Sequence, residues 1–120
     1  MIIGVGTDII EIERVERACK SSRFVKRIFS GAEMDMLLTK QAQSFAAGFA
    51  AKEAFAKALG SGFRGFYPCE VEVLRDDFGA PYINLRGKAK EIALERGVGK
   101  VHVSLSHNMS TAVAVIVLEE

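Results

Sequence analysis

The sequence predicts an α+β fold in a single domain spanning residues 1–120. Three observations carry this. The periodic segments come as one strand, several helices, then mostly strands, which is not the strict strand–helix alternation of a parallel α/β sheet. The alanine-rich run FAAGFAAKEAFAKAL (45–59) is a long, strongly helical segment near the middle of the chain. A length of 120 residues with 49% hydrophobic and 26% charged content leaves room for one core only. Such a chain buries roughly two-thirds of its unfolded surface, so little interior is left for a deep private cavity, and a site shared between subunits is expected.

Ile2 to Gly6 is a short apolar run whose Gly4 and Gly6 point to a strand closely approached by another backbone. From Ile9 the apolar positions Ile9, Ile12 and Val15 follow helical spacing with charge between them. Asp8 with Glu11 three residues on matches a helix N-terminal capping box. A second helical stretch, Phe24 to Leu38, is interrupted at Ser30 and Gly31, where Ser30 and Glu33 form another such box. The helix from Phe45 to Leu59 stops at Gly60. After the loop GSGFRGFYP, the segments Cys69–Leu74 and Tyr82–Leu85 form a hairpin around DDFGAP. Lys88–Arg96 is a short helix ending at Gly97, and strands Val101–Ser106 and Thr111–Leu118 flank the turn HNMS.

The net charge of +1 excludes a whole-molecule electrostatic attraction to nucleic acid. Cys19 and Cys69 lack the spacing of zinc or redox sites and read as small buried or half-buried hydrophobes. The amino terminus reaches Asp8 without a basic leader, and the longest apolar run, Ala112 to Leu118, is too short to span a bilayer. A cytoplasmic location is expected.

Three charged residues stand out. Phe49, Glu53 and Lys57 share one stripe of an otherwise alanine-covered helix. Charge on a buried helix is costly unless paired, hydrogen-bonded or metal-bound, and an i,i+4 pair between Glu53 and Lys57 is the simplest resolution, worth only ~0.2–0.5 kcal/mol. Asp8, between an apolar strand and Ile9–Ile10, reads equally as a helix cap or as a functional carboxylate. Together, Asp8 and Glu53 on separate elements, with a lysine one turn beyond the second, describe a site for a hard cation such as Mg2+, which takes one or two carboxylates plus substrate phosphate oxygens.

The segments GVGTDIIEIERV, FAAKEAFAKALGSG, the G-x-P of Gly79–Pro81 and HVSLSHN closely resemble the acyl carrier protein synthase branch of the 4'-phosphopantetheinyl transferases, in collinear order over nearly the whole chain. The resemblance implies an antiparallel-rich sheet packed against a long central helix. It also implies Mg2+-dependent transfer of 4'-phosphopantetheine from coenzyme A to a serine hydroxyl of an apo acyl carrier protein, leaving adenosine 3',5'-bisphosphate, and so a place in fatty acid biosynthesis. Carried over by position, Asp8 and Glu53 are the metal-binding carboxylates and Lys57 a phosphate-contacting catalytic lysine. Gly60, Pro81 and His107 join Lys57 in contacting coenzyme A. The base for the serine is either Glu53 or a water beside Asp8. Gly48 stands where relatives often carry an arginine for the 3'-phosphate, leaving Lys40 and Arg64 as candidate replacements. The family also implies a homotrimer with the site between adjacent subunits.

Between Arg14 and Arg27 lie six basic residues against the single acid Glu16, a local excess that points to an anionic partner. By resemblance, the acidic carrier protein docks there on Arg14, Arg17, Arg23 and Phe24. Two other readings compete. A hydrolase using Ser104 or Ser106 with His107 and Asp8 is disfavoured because adjacent strand residues face opposite ways. A non-catalytic module binding an acidic partner through residues 14–27 would leave Glu53 and Lys57 as a structural pair.

Overall fold

A computed structural model describes all 120 residues. Strand β1 (Ile2–Glu11) continues well past Gly6, pairing antiparallel with the last strand, β5 (Thr111–Glu119), as far as Ile9–Val113, Ile10–Ala112 and Glu11–Thr111. The cause is the β-branched pair Ile9–Ile10, which alternates across the pleat: Ile10 packs against the core and Ile9 is exposed. Helix α1 (Ile12–Ala18) therefore starts three residues later than the periodicity suggests. Asp8 lies opposite Ala114 within the sheet, so the capping-box reading of Asp8 and Glu11 is wrong.

The stretch read as one interrupted helix is two: α2 (Ser22–Ile28) and α3 (Gly31–Leu37). Between them the capping box forms as expected: Glu33 N donates to Ser30 Oγ at 3.1 Å and Ser30 N donates to Glu33 Oε1 at 3.0 Å. Helix α4 (Ala42–Leu59) begins slightly earlier than expected and ends on Gly60, whose φ of +83° is the left-handed conformation glycine takes without strain. A 3-10 turn at Pro68–Glu70 withdraws Cys69 from the strand expected to contain it. Strands β2 (Val71–Arg75) and β3 (Pro81–Leu85) make a separate antiparallel hairpin, its tip closed by Phe78 N and Ala80 N donating to Asp76 Oδ1. Helix α5 (Gly87–Glu95) leads to β4 (Lys100–His107), which joins β5 through a turn where Asn108 Oδ1 accepts from Ser110 N and Thr111 N. His107 is thus the last residue of a strand and not part of the turn.

The main sheet is antiparallel throughout, in the order β1-β5-β4. On its inner face Ala112, Ala114, Ile116 and Leu118 are buried beneath α4. The helix lies against bare backbone on β1: a Cβ added to Gly6 would come within 1.9 Å of the Ala54 carbonyl oxygen, and one on Gly4 within 2.1 Å of that of Ala58. Only glycine admits this approach. The outer face stays open, with Val5, Ile9 and Val115 exposed.

Candidate active site

The close contact between α4 and β1 brings Asp8 and Lys57 together across 49 residues of sequence. Gly6, Asp8 and Ile10 alternate onto the inner face of β1, and Asp8 emerges at the flank of α4, with a side chain only 15% exposed. Lys57 Nζ donates to Asp8 Oδ1 at 3.0 Å and to the Thr7 carbonyl at 3.1 Å. The expected i,i+4 pair with Glu53 does not form, because the strand carboxylate takes the lysine instead. Lys57 is exposed, so it is not the buried charge the sequence suggested.

Glu53, one turn before Lys57 and half-buried, belongs to the same cluster. Burial, and then the negative charge of Asp8, push its carboxyl above the usual range, while Lys57 and Arg14 oppose the shift. Two carboxylates held together in a partly desolvated corner form an oxygen donor set with excess negative charge, and no third Asp, Glu, His or Cys joins them. This suits a hard divalent cation completed by phosphate oxygens and water. Gly60, at the end of the same helix, turns the chain away and leaves open space beside its α-carbon.

The remaining sequence-selected residues lie elsewhere. His107 and Pro81 line one cleft with Ser44, Arg75 and Leu105, on the β4 side of α4. A neighbouring cleft shares Ser44, Arg75 and Leu105 and reaches Gly48 and Lys40. Neither cleft includes Asp8, Glu53, Lys57 or Gly60, so one chain carries two separate groups of candidate residues. Lys40 lines the neighbouring cleft with Gly48, and Arg64 does not. Ser106 faces the opposite side of the sheet from its strand neighbour His107, and Asp8 lies outside the cleft that Ser104 and His107 share, which removes the hydrolase arrangement.

Arg14 and Arg23 are exposed on α1 and α2. Arg17 is exposed but paired with Glu13 at 3.2 Å. Phe24 is half-buried against Phe49, with ring centroids 5.9 Å apart, so it anchors α2 to α4 as well as edging the surface. Sequence reasoning passed over Arg75, which joins the two clefts, and Lys52, the charge on α4 that is wholly buried. Lys52 sits in the same FAAKE run as Glu53, and its position among the alanines was the available signal.

A family model described as the 4'-phosphopantetheinyl transferase superfamily matches residues 4–116. The holo-[acyl-carrier-protein] synthase of Lachnoclostridium phytofermentans is 43% identical over 119 residues, covering 99% of this chain and 97% of the relative. That of Clostridium kluyveri is 46% identical over 122 residues, covering 99% and 91%. Among solved structures, holo-[acyl-carrier-protein] synthase from Neisseria meningitidis superposes with a TM-score of 0.92 at 34% identity over 100% of both chains. The Helicobacter pylori enzyme in complex with coenzyme A gives 0.86 at 30% identity over 96% of this chain and 99% of that one.

Proposed function

The chain belongs to the 4'-phosphopantetheinyl transferase superfamily, and from that membership we infer that it is a transferase moving 4'-phosphopantetheine from coenzyme A to a serine of an apo acyl carrier protein. The observation that carries the reading is the convergence of Asp8, Glu53 and Lys57 at the contact of α4 with β1. In the reaction the serine oxygen forms a bond to the β-phosphorus of coenzyme A. The bond from that phosphorus to the bridging oxygen breaks, and adenosine 3',5'-bisphosphate leaves with the electron pair.

Asp8 and Glu53 would hold Mg2+, which supplies Lewis-acid stabilisation of charge on the diphosphate when bound. Lys57, already turned toward Asp8, would shift its ammonium onto the leaving phosphate oxygens. Either Glu53 or a water held beside Asp8 would accept the serine proton. The cleft of Pro81 and His107, with Lys40 at its extension, would receive the rest of coenzyme A, Lys40 standing in near the 3'-phosphate for the arginine replaced by Gly48.

We propose that residues 1–120 form a single domain assembling as a homotrimer. Two features support this: the apolar outer face of the sheet, where Val5 and Ile9 are 62% and 66% exposed, and the separation of the two residue groups on one chain. A neighbouring subunit that covers the first and apposes its Pro81–His107 cleft to Asp8 and Glu53 would complete the site. The basic surface of α1 and α2, with Arg14, Arg17, Arg23 and Phe24, would dock the acidic carrier. The cytoplasm is the compartment this reading implies, since both substrates are soluble metabolic carriers.

The test is incubation with coenzyme A, Mg2+ and apo carrier protein, read by intact mass. A phosphopantetheine adduct on the carrier serine supports transfer, and an unmodified carrier refutes it. Glu53→Gln separates the binding-module alternative: loss of carrier modification with carrier binding retained overturns the module, and undiminished modification overturns the metal assignment.

A further inference from the structure

Lys52, the residue before Glu53, has no accessible surface. Its ammonium donates to Glu33 Oε1 at 2.7 Å, to the Val71 carbonyl at 2.6 Å and to the Pro68 carbonyl at 3.0 Å, and lies 5.6 Å from the centre of the Phe29 ring. Glu33, 1% exposed, also accepts from Ser30 N and Val73 N, both at 3.0 Å. One buried ion pair thereby ties α4 to the start of α3, to the 3-10 turn and to β2. Nothing in the reaction above uses it.

Such a pair is rarely a net source of stability, because the desolvation of both ions offsets their attraction, and apolar packing of the same volume serves as well. A role in specifying geometry is the better account here. The contact of α4 with β1 is made by glycine backbone against the carbonyls of Ala54 and Ala58. Smooth surfaces of this kind offer no interlocking ridges to set how far a helix is turned about its axis. A functional carboxylate, however, must be held within roughly 0.5 Å and 10–20° of its working position.

We propose that Lys52 is a positioning residue, whose clamp on Glu33 and two main-chain carbonyls sets the rotation and height of α4 so that the next side chain, Glu53, faces Asp8. This rests on the reading that Asp8 and Glu53 hold a divalent cation. The apolar side chains of α4 hold the helix in the core, while the clamp sets its angle.

The experiment compares wild type with Glu33→Gln/Lys52→Met, which removes both charges and keeps each side chain within one atom of its length. Folding is checked by circular dichroism, and Mn2+ binding is measured by electron paramagnetic resonance with coenzyme A present and no carrier, so that no turnover occurs. The expected result is a folded variant whose Mn2+ affinity falls on the order of tenfold. The Mg2+ concentration for half-maximal rate should rise by the same factor, with KM for the carrier unmoved. A folded variant with lowered Tm and unchanged Mn2+ affinity would mean a purely structural pair and overturns the proposal. Should the double variant not fold, Glu33→Gln alone, which keeps the volume and one acceptor oxygen, is judged by the same readouts. If wild type binds no Mn2+, or Glu53→Gln binds it equally well, the metal reading beneath fails instead, independently of the clamp.

Discussion

Lys57 Nζ lies 3.0 Å from Asp8 Oδ1, a bond that ties the last turn of α4 to the middle of β1. Because the lysine side chain is 57% exposed, the bond contributes little to folding, about 0–1 kcal/mol as for surface ion pairs. In the proposed reaction it would hold an ammonium ready beside the carboxylates. Lys57→Met is therefore expected to melt within a few degrees of wild type while kcat falls roughly 10²–10³-fold, the scale of losing one preorganised donor to developing charge. Thermal melts and steady-state rates on the same preparation check both halves.

Glu53 makes the opposite kind of contribution. Its folded-state pKa is raised by burial and by Asp8, so the native protein holds this proton to higher pH than the unfolded chain does. The stability it supplies is complete below the ordinary glutamate range and is lost as pH rises through the elevated value. In metal-free buffer, Glu53→Gln should melt higher than wild type near neutral pH, by less than roughly 4 °C for a half-exposed group. The difference should vanish in acid. Mg2+ should raise the Tm of wild type and leave that of the variant in place, and transfer should collapse in the variant. A Tm of the variant below that of wild type at pH 7 without metal contradicts the account.

Gly6→Ala tests the approach of α4 to β1. The new methyl would meet the Ala54 carbonyl oxygen at 1.9 Å, and relief requires the two backbones to part. Overpacking of this kind costs about 1–3 kcal/mol. The same displacement widens the gap between Asp8 and Lys57, so the rate loss should exceed what the folded fraction explains. Gly31→Ala, where the added atom meets nothing within 4 Å, is the control.

Arg14 stands at the edge of the carboxylate cluster, close enough for its charge to act on Glu53, and opens onto the basic surface of α1. Arg14→Ala is expected to raise KM for the carrier on the order of tenfold, or about 1.4 kcal/mol, with a smaller effect on KM for coenzyme A. Raising ionic strength should weaken carrier binding to wild type more steeply than to the variant. Titrations at two salt concentrations decide it.

The sequence was most informative where a local rule and the tertiary structure agree. The Ser30–Glu33 box, the glycine stop at Gly60 and the close approach announced by Gly4 and Gly6 all hold because each depends on a few neighbouring residues or on the absence of a Cβ. It misled at Asp8, where helical spacing from Ile9 onward competed with pairing to β5, and the β-branched pair kept the strand going to Glu11. The carboxylate thereby became a sheet residue facing α4 and not a cap. The Lys57 partner was misassigned for the same reason: an i,i+4 neighbour is visible in sequence, whereas a strand 49 residues away is not. Lys52 was passed over because its partners, Glu33, Pro68 and Val71, come from three other segments.

Where α4 rests on Gly4 and Gly6, main chain touches main chain with nothing soft between. A spacer made of side chains can be lengthened or shortened one methylene at a time, but this one has a single setting, fixed by the thickness of two peptide backbones. Substitutions at the tip of the β2–β3 hairpin, or on the exposed faces of α1 and α2, can proceed without altering that gauge. The separation of α4 from the sheet thus stays as it is while the surfaces around it are free to change.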